Sequence, residues 1–290
     1  MPARLRRLAF LAVALLAAGP AAAACPDAAA VSAFVADWTA KKPVDPPFGA
    51  GLSAADALCA QNAVVADLEK TLGAPVGYKA ALTGKAAQER LKATGPVVGV
   101  LLSDMMLGNG VEITTHYGAN PVYEADFVFV VGDAAINSAG TPEEALAHVS
   151  AMRPFIELAD LVASDPAKLD MSAMIAIDAG ARLGVLGEET PLDTSPAGVA
   201  ALAAMTVVTT DGDGNVLAEM PGSSVMGNPL NALLFVIQDL QSRGGALKAG
   251  DLVSVGAFSP LVPPKPGLIV NVTYQGLQGS PEVSAQFNKD

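Results

Sequence analysis

The sequence has little positive charge and very few histidines and cysteines. Lys plus Arg number 17 against 29 for Asp plus Glu, which gives a formal net charge of -12. Because nucleic-acid phosphates and anionic membranes are bound by clustered cations, this excess of acid argues against either partner. With only 2 histidines and 2 cysteines in the chain, a Cys/His zinc site is not expected either.

Several familiar motifs are also missing. No Walker pattern, no G-x-G-x-x-G after a strand and no G-x-S-x-G elbow occurs in the chain. The segment DGDGN at 211–215 resembles the start of a calcium loop, but position 222, where the closing Glu would stand, is Gly. Since alternating apolar residues flank this segment, it predicts a hairpin turn.

The composition is that of a globular protein with a sizeable core. The chain has 290 residues, of which 51% are hydrophobic and 16% charged, so it is too apolar for intrinsic disorder. Its length fits one large domain or two small ones.

The first 24 residues read as a targeting signal. Arg4, Arg6 and Arg7 precede an apolar run of 11 residues, 8–18, which a Gly-Pro pair and small residues follow. This order is typical of a secretory signal peptide, with cleavage near Ala23 or Ala24. We therefore expect a periplasmic or secreted protein. The run is shorter than the roughly 20 residues that cross a bilayer, and no later segment is long enough, so no membrane span is expected.

Cys25 and Cys59 are the two cysteines, and both follow the predicted cleavage site. In an oxidising compartment they can form a disulfide that ties the N-terminus to a helix containing Cys59. Two alternatives stay open: Cys25 could carry a lipid anchor as the first residue of a lipoprotein, or both thiols could be free.

The chain divides into a helical region at 25–75 and a β-rich domain at 76–290. Up to about residue 72 apolar residues recur at helical spacing, with Ser53 as a predicted cap. After Pro75 short apolar, β-branched runs bounded by Gly, Pro and Asn predict strands. Two helices are predicted among them, TPEEALAHVSAM, capped by Thr141, and NPLNALLFVIQDLQSRGG. The fold class is therefore α+β, a strand-dominated domain with peripheral helices.

Three acidic residues in apolar surroundings point to a metal site. Glu124 and Asp126 are two apart on a predicted strand, so their side chains leave the same face, and Glu157 lies in the apolar run PFIELADLV. Buried neighbouring carboxylates repel each other, and a divalent cation removes that repulsion. Oxygen ligands without histidine suit Mg²⁺, Mn²⁺ or Ca²⁺. The alternative is that these acids lie at a solvent-facing end of their strands.

Lys79 and Asp104 add to this pattern, because each is a charged residue within an apolar run, GYKAALT and LLSDMML. A lysine in such surroundings needs a carboxylate or an anionic ligand as its partner. Lys79 is thus either a structural ion-pair partner or a catalytic residue.

Taken in order, these segments resemble the 2-keto-4-pentenoate hydratase branch of the fumarylacetoacetate hydrolase superfamily. The resemblance covers residues 55–287 and rests on GYKAALT, VVGVLLSDMML, YEADFVFVV, FIELADL, GNPLNALLFVIQDL and GDLVSVGAF. It implies a mixed β-roll or distorted β-barrel. It also implies that Glu124, Asp126 and Glu157 bind Mg²⁺ or Mn²⁺. A 2-oxo acid would chelate this ion through its carboxylate and keto oxygens, and the ion would activate it.

The resemblance assigns further roles by position. Lys79 would hold negative charge on the substrate, and Asp104 would orient Lys79 or relay a proton. Asp178 and Gly180 stand where hydratases place an Asn and a substrate-contacting Ser, so they are the predicted substrate-binding residues.

The function expected is that of a divalent-metal-dependent enzyme acting on a small 2-oxo acid. Hydration of a 2-hydroxypenta-2,4-dienoate type of substrate is the first expectation, and decarboxylation or carbon-carbon hydrolysis are variants. For hydrolysis His116 could serve as the base. A possible homo-oligomer is also expected, since relatives are often multimeric. The rival from another class is a non-catalytic exported protein that keeps the fold and binds a metal or ligand.

Overall fold

Two twisted sheets form the body of the protein. The computed structural model describes residues 24–45, 47–49 and 51–288. The first sheet has seven strands in the order β2-β1-β10-β5-β6-β7-β3, with β1 at Pro75–Ala81, β2 at Val97–Leu102, β3 at Met106–Gly108, β5 at Pro121–Val131, β6 at Val149–Asp160, β7 at Leu183–Leu186 and β10 at Leu252–Ser254. The second has five strands in the order β4-β12-β11-β8-β9, with β4 at Val111–Ile113, β8 at Thr206–Asp211, β9 at Val216–Pro221, β11 at Ile269–Gln275 and β12 at Glu282–Phe287.

Helices surround these sheets, and most of them start at a side-chain cap. They are α1 at Ala28–Thr39, α2 at Ala54–Leu72, α3 at Lys85–Arg90, α4 at Pro142–Leu146, α5 at Met171–Ala176, α6 at Pro196–Ala204 and α7 at Pro229–Ser242. The caps at Ser53 and Thr141 each accept a backbone hydrogen bond from the third residue that follows, as the sequence predicts. Within the described part of the chain, no helix is long and apolar enough to cross a membrane.

The sheets enclose an aromatic core. Phe127 of β5 packs its ring against Phe129, Phe258 and Tyr274, with ring centroids 4.9–6.0 Å apart. The Tyr274 hydroxyl donates to the backbone carbonyl of Asp126 and so links β11 of the second sheet to β5 of the first. This link fixes the long β5–β6 pair, which carries the acidic residues predicted above.

The N-terminal helices are part of a shared core. Apolar side chains of α1 and α2 pack in one cluster with those of β2 and α5. Cys25 and Cys59 form a disulfide, so that prediction is confirmed. A lipid anchor at Cys25 is wrong, because the same sulfur cannot also carry the thioether of a lipid. Residues 1–23, where the predicted leader falls, lie outside the described residues.

The predicted fold class is confirmed, and the local predictions differ in their outcome. The hairpin turn at 211–215 is present between β8 and β9, where the Asp211 carboxylate accepts hydrogen bonds from the backbone N–H groups of Asp213 and Asn215. The helix predicted over 141–152 is wrong in its second half. It ends at Leu146, and Val149 begins β6, because pairing with β5 satisfies the backbone there.

Candidate active site

Glu124 and Glu157 are direct neighbours on adjacent antiparallel strands. The β5–β6 register pairs Glu124 with Glu157, and Lys79 reaches the same place from β1. The Lys79 ammonium forms a buried ion pair with Glu157 and donates a hydrogen bond to the carbonyl of Ala179 at 3.0 Å. Only 3% of Lys79, 8% of Glu124 and 3% of Glu157 is exposed, so the predicted solvent-facing alternative is excluded for these residues.

Burial and repulsion set the charge states of this cluster. Burial raises the pKa of Glu124 well above its ordinary value, and the negative charge of Glu157 raises it further. For Lys79 burial acts in the opposite direction, but the attraction of Glu157, Glu124 and Asp126 outweighs it and the pKa of Lys79 is raised. The ammonium therefore stays charged at neutral pH, while Glu124 is a carboxyl group for which ionisation is costly.

Asp126 shares the strand face with Glu124 but has different partners. Its carboxylate accepts hydrogen bonds from the backbone N–H groups of Phe127 at 2.6 Å, Val255 at 3.2 Å and Gly256 at 3.0 Å, and from the Ser254 hydroxyl. These donors satisfy both oxygens at the end of β10. Asp126 thus holds β10 against β5, and it does not line the cavity described next.

A cavity of about 450 Å³ opens above the cluster. Lys79, Glu124 and Glu157 form its deep polar part, and most of its wall is apolar. The wall comes from the segments after β1, β6 and β10 and from helices α3 and α5, and it includes Leu82, Ala87, Leu161, Met174, Gly256 and Leu261. A largely apolar cleft with a few convergent polar groups is the usual form of a small-molecule site.

The donor set fits a hard divalent cation in part. Glu157 Oε2 is buried without a hydrogen-bond partner, and Glu124 lines the same cavity, so carboxylate oxygens are available. Among the described residues, however, no three Asp, Glu, His or Cys side chains converge as a ready metal site. The reason is that Asp126 faces β10 and Glu157 is paired with Lys79. Glu124 and Glu157 are therefore the carboxylates that fit a cation here.

A strained turn supports Lys79 from behind. Asp178, Ala179 and Gly180 all have positive φ, at 56°, 54° and 72°, a conformation that costs energy for residues other than glycine. The Asp178 carboxylate accepts hydrogen bonds from Gln61 Nε2 at 2.9 Å and from the Val100 N–H at 2.8 Å. These bonds hold the turn so that the Ala179 carbonyl meets the Lys79 ammonium.

The predicted substrate-binding residues lie behind the cavity wall. Asp178 and Gly180 are buried and do not line the cavity, whereas Ala179 between them does. Burial raises the pKa of Asp178 to about 7, and its Oδ2 atom has no hydrogen-bond partner. Asp178 therefore supports Lys79 from behind, through the turn, and its side chain does not line the cavity.

Asp104 and His116 are not brought to the cluster. Asp104 lies exposed in a short turn between β2 and β3, where its carboxylate accepts a hydrogen bond from the Ser103 hydroxyl at 3.1 Å. His116 is exposed as well, and its ring lies 3.1 Å from the Thr115 hydroxyl. Neither residue lines the cavity. The geometry gives no support to Asp104 as a partner of Lys79 or to His116 as a base.

Two residues at this site, Gln61 and Arg90, are not predicted by the sequence motifs. Gln61 is a polar residue on the buried face of α2, four residues before Val65 and four after Ala57. A buried amide on an apolar helix face needs partners, and Gln61 finds them in Asp178 and in the Val98 carbonyl. Arg90, at the end of α3, lines the cavity mouth.

Comparisons with known proteins agree with this architecture. Residues 70–280 match the family model described as fumarylacetoacetate (FAA) hydrolase C-terminal. A protein named TodF product hydratase, from Pseudomonas putida F1, is 31% identical over 221 residues, which cover 74% of this chain and 76% of that protein. A 2-keto-4-pentenoate hydratase of Paraburkholderia xenovorans LB400 is 29% identical over 215 residues, which cover 74% and 77%.

A solved structure shows the same fold. The 4-oxalocrotonate decarboxylase from Pseudomonas putida G7, complexed with magnesium and adipate, has a TM-score of 0.77 at 23% identity, and the match covers 89% of this chain and 96% of that one. The predicted β-roll type of fold is thereby confirmed. Since the matched relatives are named as hydratases and decarboxylases, the predicted enzyme class, a lyase of this superfamily, is confirmed as well.

The predicted periplasmic or secreted location is wrong. Homologues of this chain are typically cytoplasmic enzymes, and nothing among the described residues supports a leader. The prediction rested on residues 1–24, nearly all of which lie outside the described part. The family match covers most of the remaining chain. This chain belongs to the fumarylacetoacetate hydrolase family.

Proposed function

We propose that the protein is a divalent-cation-dependent lyase that acts on a small 2-oxo acid, with hydration of a dienoate as the first candidate reaction. The observation that carries the proposal is the buried group of Glu124, Glu157 and Lys79 at the deep end of an apolar cavity. The names of the relatives support the substrate class, since several are 2-keto-4-pentenoate hydratases.

Glu124 and Glu157 would hold the cation, and Asp126 stays a predicted third ligand. A bound Mg²⁺ or Mn²⁺ supplies Lewis-acid stabilisation of negative charge on the oxygens of a 2-oxo acid. Structures of relatives hold magnesium with adipate and Mn²⁺ with pyruvate. Burial and the negative charge of Glu157 raise the pKa of Glu124, and a bound cation would favour its ionised form.

Lys79 is proposed as the residue that binds negative charge on the substrate. Its ammonium lies between Glu157 and the Ala179 carbonyl, at the floor of the cavity. Since its pKa is raised, it acts as a fixed cation at neutral pH and orients a carboxylate or enolate oxygen. The apolar wall keeps water from the rest of the substrate, which strengthens this attraction.

Decarboxylation is the second candidate, because relatives named 4-oxalocrotonate decarboxylase match at 27–28% identity. Carbon-carbon hydrolysis has less support, since no histidine lines the cavity within the described residues. The non-catalytic alternative is not favoured, because the matched relatives are enzymes. The predicted homo-oligomer stays a prediction, which sedimentation of the purified protein tests.

The test is turnover of 2-hydroxypenta-2,4-dienoate with Mg²⁺, with Mn²⁺ and with EDTA, together with calorimetry of cation binding. We expect turnover only with a cation, and proton release on cation binding that shows as a dependence of the measured heat on the buffer. Glu124→Gln should lose both properties, whereas Glu112→Gln, which changes an exposed Glu on β4, should keep them. Equal turnover by Glu124→Gln and the unchanged protein would overturn the proposal.

A further inference from the structure

A second cavity, of about 370 Å³, lies next to the active-site cavity. Ser259 and Pro260 line both cavities, so the segment between β10 and β11 forms part of the wall between them. Lys79, Glu124 and Glu157 do not line the second cavity. It is therefore a neighbour of the candidate active site and does not extend its charged floor.

Backbone hydrogen bonds hold the wall of the second cavity in place. The Tyr123 N–H donates to the Val262 carbonyl at 2.9 Å, and the Val262 N–H donates to the Tyr123 carbonyl at 3.2 Å. The Ser259 hydroxyl accepts a hydrogen bond from the Ala125 N–H at 2.8 Å. These bonds attach the segment between β10 and β11 to β5, so the backbone sets the shape of the cavity. Most of its lining is apolar and consists of Leu217, Ala218, Pro260, Val262, Pro263 and Leu268.

Three polar groups that line the second cavity have unused hydrogen-bonding capacity. Thr209 is 3% exposed, and its Oγ1 atom is buried without a hydrogen-bond partner. Tyr123 is 5% exposed, and its hydroxyl makes no hydrogen bond within the described residues. Lys265 is exposed and forms no ion pair with any residue that the structure describes. A buried hydroxyl without a partner costs stability, and a ligand oxygen that bonds to it removes this cost.

The burial of these groups indicates which part of a ligand each one suits. Thr209 and Tyr123 lie at the buried end, where a charged group would lose its hydration, whereas a neutral oxygen needs only hydrogen bonds. Burial raises the pKa of Tyr123, so its hydroxyl keeps its proton at neutral pH and can donate. Lys265 lies at the exposed end, where its ammonium attracts an anion. Among the described residues no carboxylate lines this cavity to compete for the ammonium.

We propose that the second cavity binds a small hydroxy acid with an apolar middle part. The hydroxyl group of the ligand bonds to Thr209 and Tyr123, its carbon chain lies against the apolar wall, and its carboxylate pairs with Lys265. This binding site lies outside the candidate active site and does not depend on the proposed function. Because Ser259 and Pro260 line both cavities, the bound acid also contacts a wall of the active-site cavity.

The experiment compares three ligands of equal chain length: 6-hydroxyhexanoate, hexanoate, which lacks the hydroxyl group, and 1,6-hexanediol, which lacks the charge. Dissociation constants are measured by calorimetry in EDTA, which keeps cations away from the candidate active site. Thr209→Val removes the buried hydroxyl with little change of shape, and Lys265→Gln removes the charge. Thr210→Val and Lys168→Gln are the matched controls. Thr210 is the next residue on β8, Lys168 is exposed, and neither lines the two cavities.

We expect the unchanged protein and both controls to bind 6-hydroxyhexanoate about fivefold more tightly than either of the other ligands. Thr209→Val should lose most of the preference over hexanoate, because the ligand hydroxyl loses a partner. Lys265→Gln should lose the preference over the diol, because the carboxylate no longer meets a cation. The preference over the diol should also weaken as ionic strength rises, since salt screens an exposed pair.

The stability of the ligand-free protein gives a second measurement. Thr209→Val should raise its unfolding temperature, because valine leaves no buried hydroxyl without a partner. A variant that is more stable and yet binds the hydroxy acid more weakly is expected of a ligand site and not of a purely structural residue. Tyr123→Phe tests the same end of the cavity through the other hydroxyl and should also weaken the preference over hexanoate.

Binding that is unchanged in Thr209→Val, Tyr123→Phe and Lys265→Gln would place the ligand elsewhere and overturn the inference. Failure of all three ligands to bind would overturn it as well. In that case a dimer in sedimentation that Leu217→Asp dissociates would identify the exposed apolar side of the cavity as a contact between copies of the chain. Each of these results would leave the proposed function standing, because that function rests on other residues.

Discussion

Glu124 and Glu157 face each other across the β5–β6 pair, yet only Glu157 has Lys79 as its partner. Asp126, the third acid on this part of the sheet, is satisfied by hydrogen-bond donors at the end of β10. The cluster thus has one ammonium for two cavity-facing carboxylates. This imbalance of charge favours a cation and makes Lys79 essential to the stability of the cation-free protein.

Lys79→Met should destabilise the cation-free protein strongly. Removing the ammonium leaves Glu157 buried without its partner, and breaking a buried ion pair on one side costs about 3–5 kcal/mol. Urea unfolding at neutral pH in EDTA measures this loss, and Mg²⁺ should restore part of it. Lys70→Met is the control, because Lys70 pairs with Asp67 on the surface with 71% of its side chain exposed. Equal losses in the two variants would contradict the prediction.

Asp178→Asn should stabilise the protein above pH 7. Burial raises the pKa of Asp178 from 3.8 to about 7, so the folded protein binds a proton that the unfolded chain has released. Stability therefore falls as pH rises from about 4 through about 7. Asparagine carries no charge and keeps an oxygen for Gln61 and the Val100 N–H.

The expected gain for Asp178→Asn is on the order of 1–3 kcal/mol at pH 8 and close to zero near pH 4. Thermal unfolding over this pH range measures it. Asp104→Asn, at an exposed position, is the control for the loss of one negative charge. A gain for Asp178→Asn that is the same at every pH would show that Asp178 is not the titrating group.

Gly99→Ala should disturb the floor of the cavity. Gly99 lies opposite Lys79 in the β1–β2 pair, and a Cβ atom there would lie 2.6 Å from the Asp178 carbonyl oxygen and 3.0 Å from Lys79 Cγ. Since the strained turn would have to move, we expect a loss of about 1–3 kcal/mol in stability and a larger KM. Gly108→Ala is the matched control on β3, where nothing lies within 4 Å. Similar effects of both substitutions would argue against a tight fit at Gly99.

Reduction of the Cys25–Cys59 disulfide should lower stability without loss of the site. The bridge joins residues 34 apart in sequence, and closing a loop of this length contributes about 3–4 kcal/mol in the chain-entropy model. Thermal unfolding with and without dithiothreitol measures the effect, and a Cys25→Ser/Cys59→Ser variant should not respond to the reductant. Neither cysteine lines the cavity, so we expect turnover at room temperature to be retained.

The sequence predicts the acidic strand face well, because it depends on local alternation. Glu124 and Asp126 do leave one face of β5, and the Lys79 run is a buried strand. The direction of each carboxylate could not be predicted, since it is set by distant chain segments. Asp126 is turned by donors that lie 128–130 residues away, and Glu157 by Lys79 at a separation of 78 residues.

The LLSDMML run illustrates another limit of pattern reading. Its apolar neighbours predict burial for Asp104, but β2 ends at Leu102 and the chain turns, which exposes the carboxylate. Helix α3 is too short and too polar to give an amphipathic pattern, so the sequence does not predict the wall that carries Arg90.

The position of Asp126 affects how experiments on this residue should be interpreted. Its carboxylate receives the Gly256 N–H, and Gly256 begins the stretch of chain that closes one side of the cavity. Shortening or neutralising this side chain would release that stretch and change the shape of the chamber. An Asp126 variant would then bind a cation or substrate more weakly because the cavity wall has moved. This would be so even if Glu124 and Glu157 alone hold the cation.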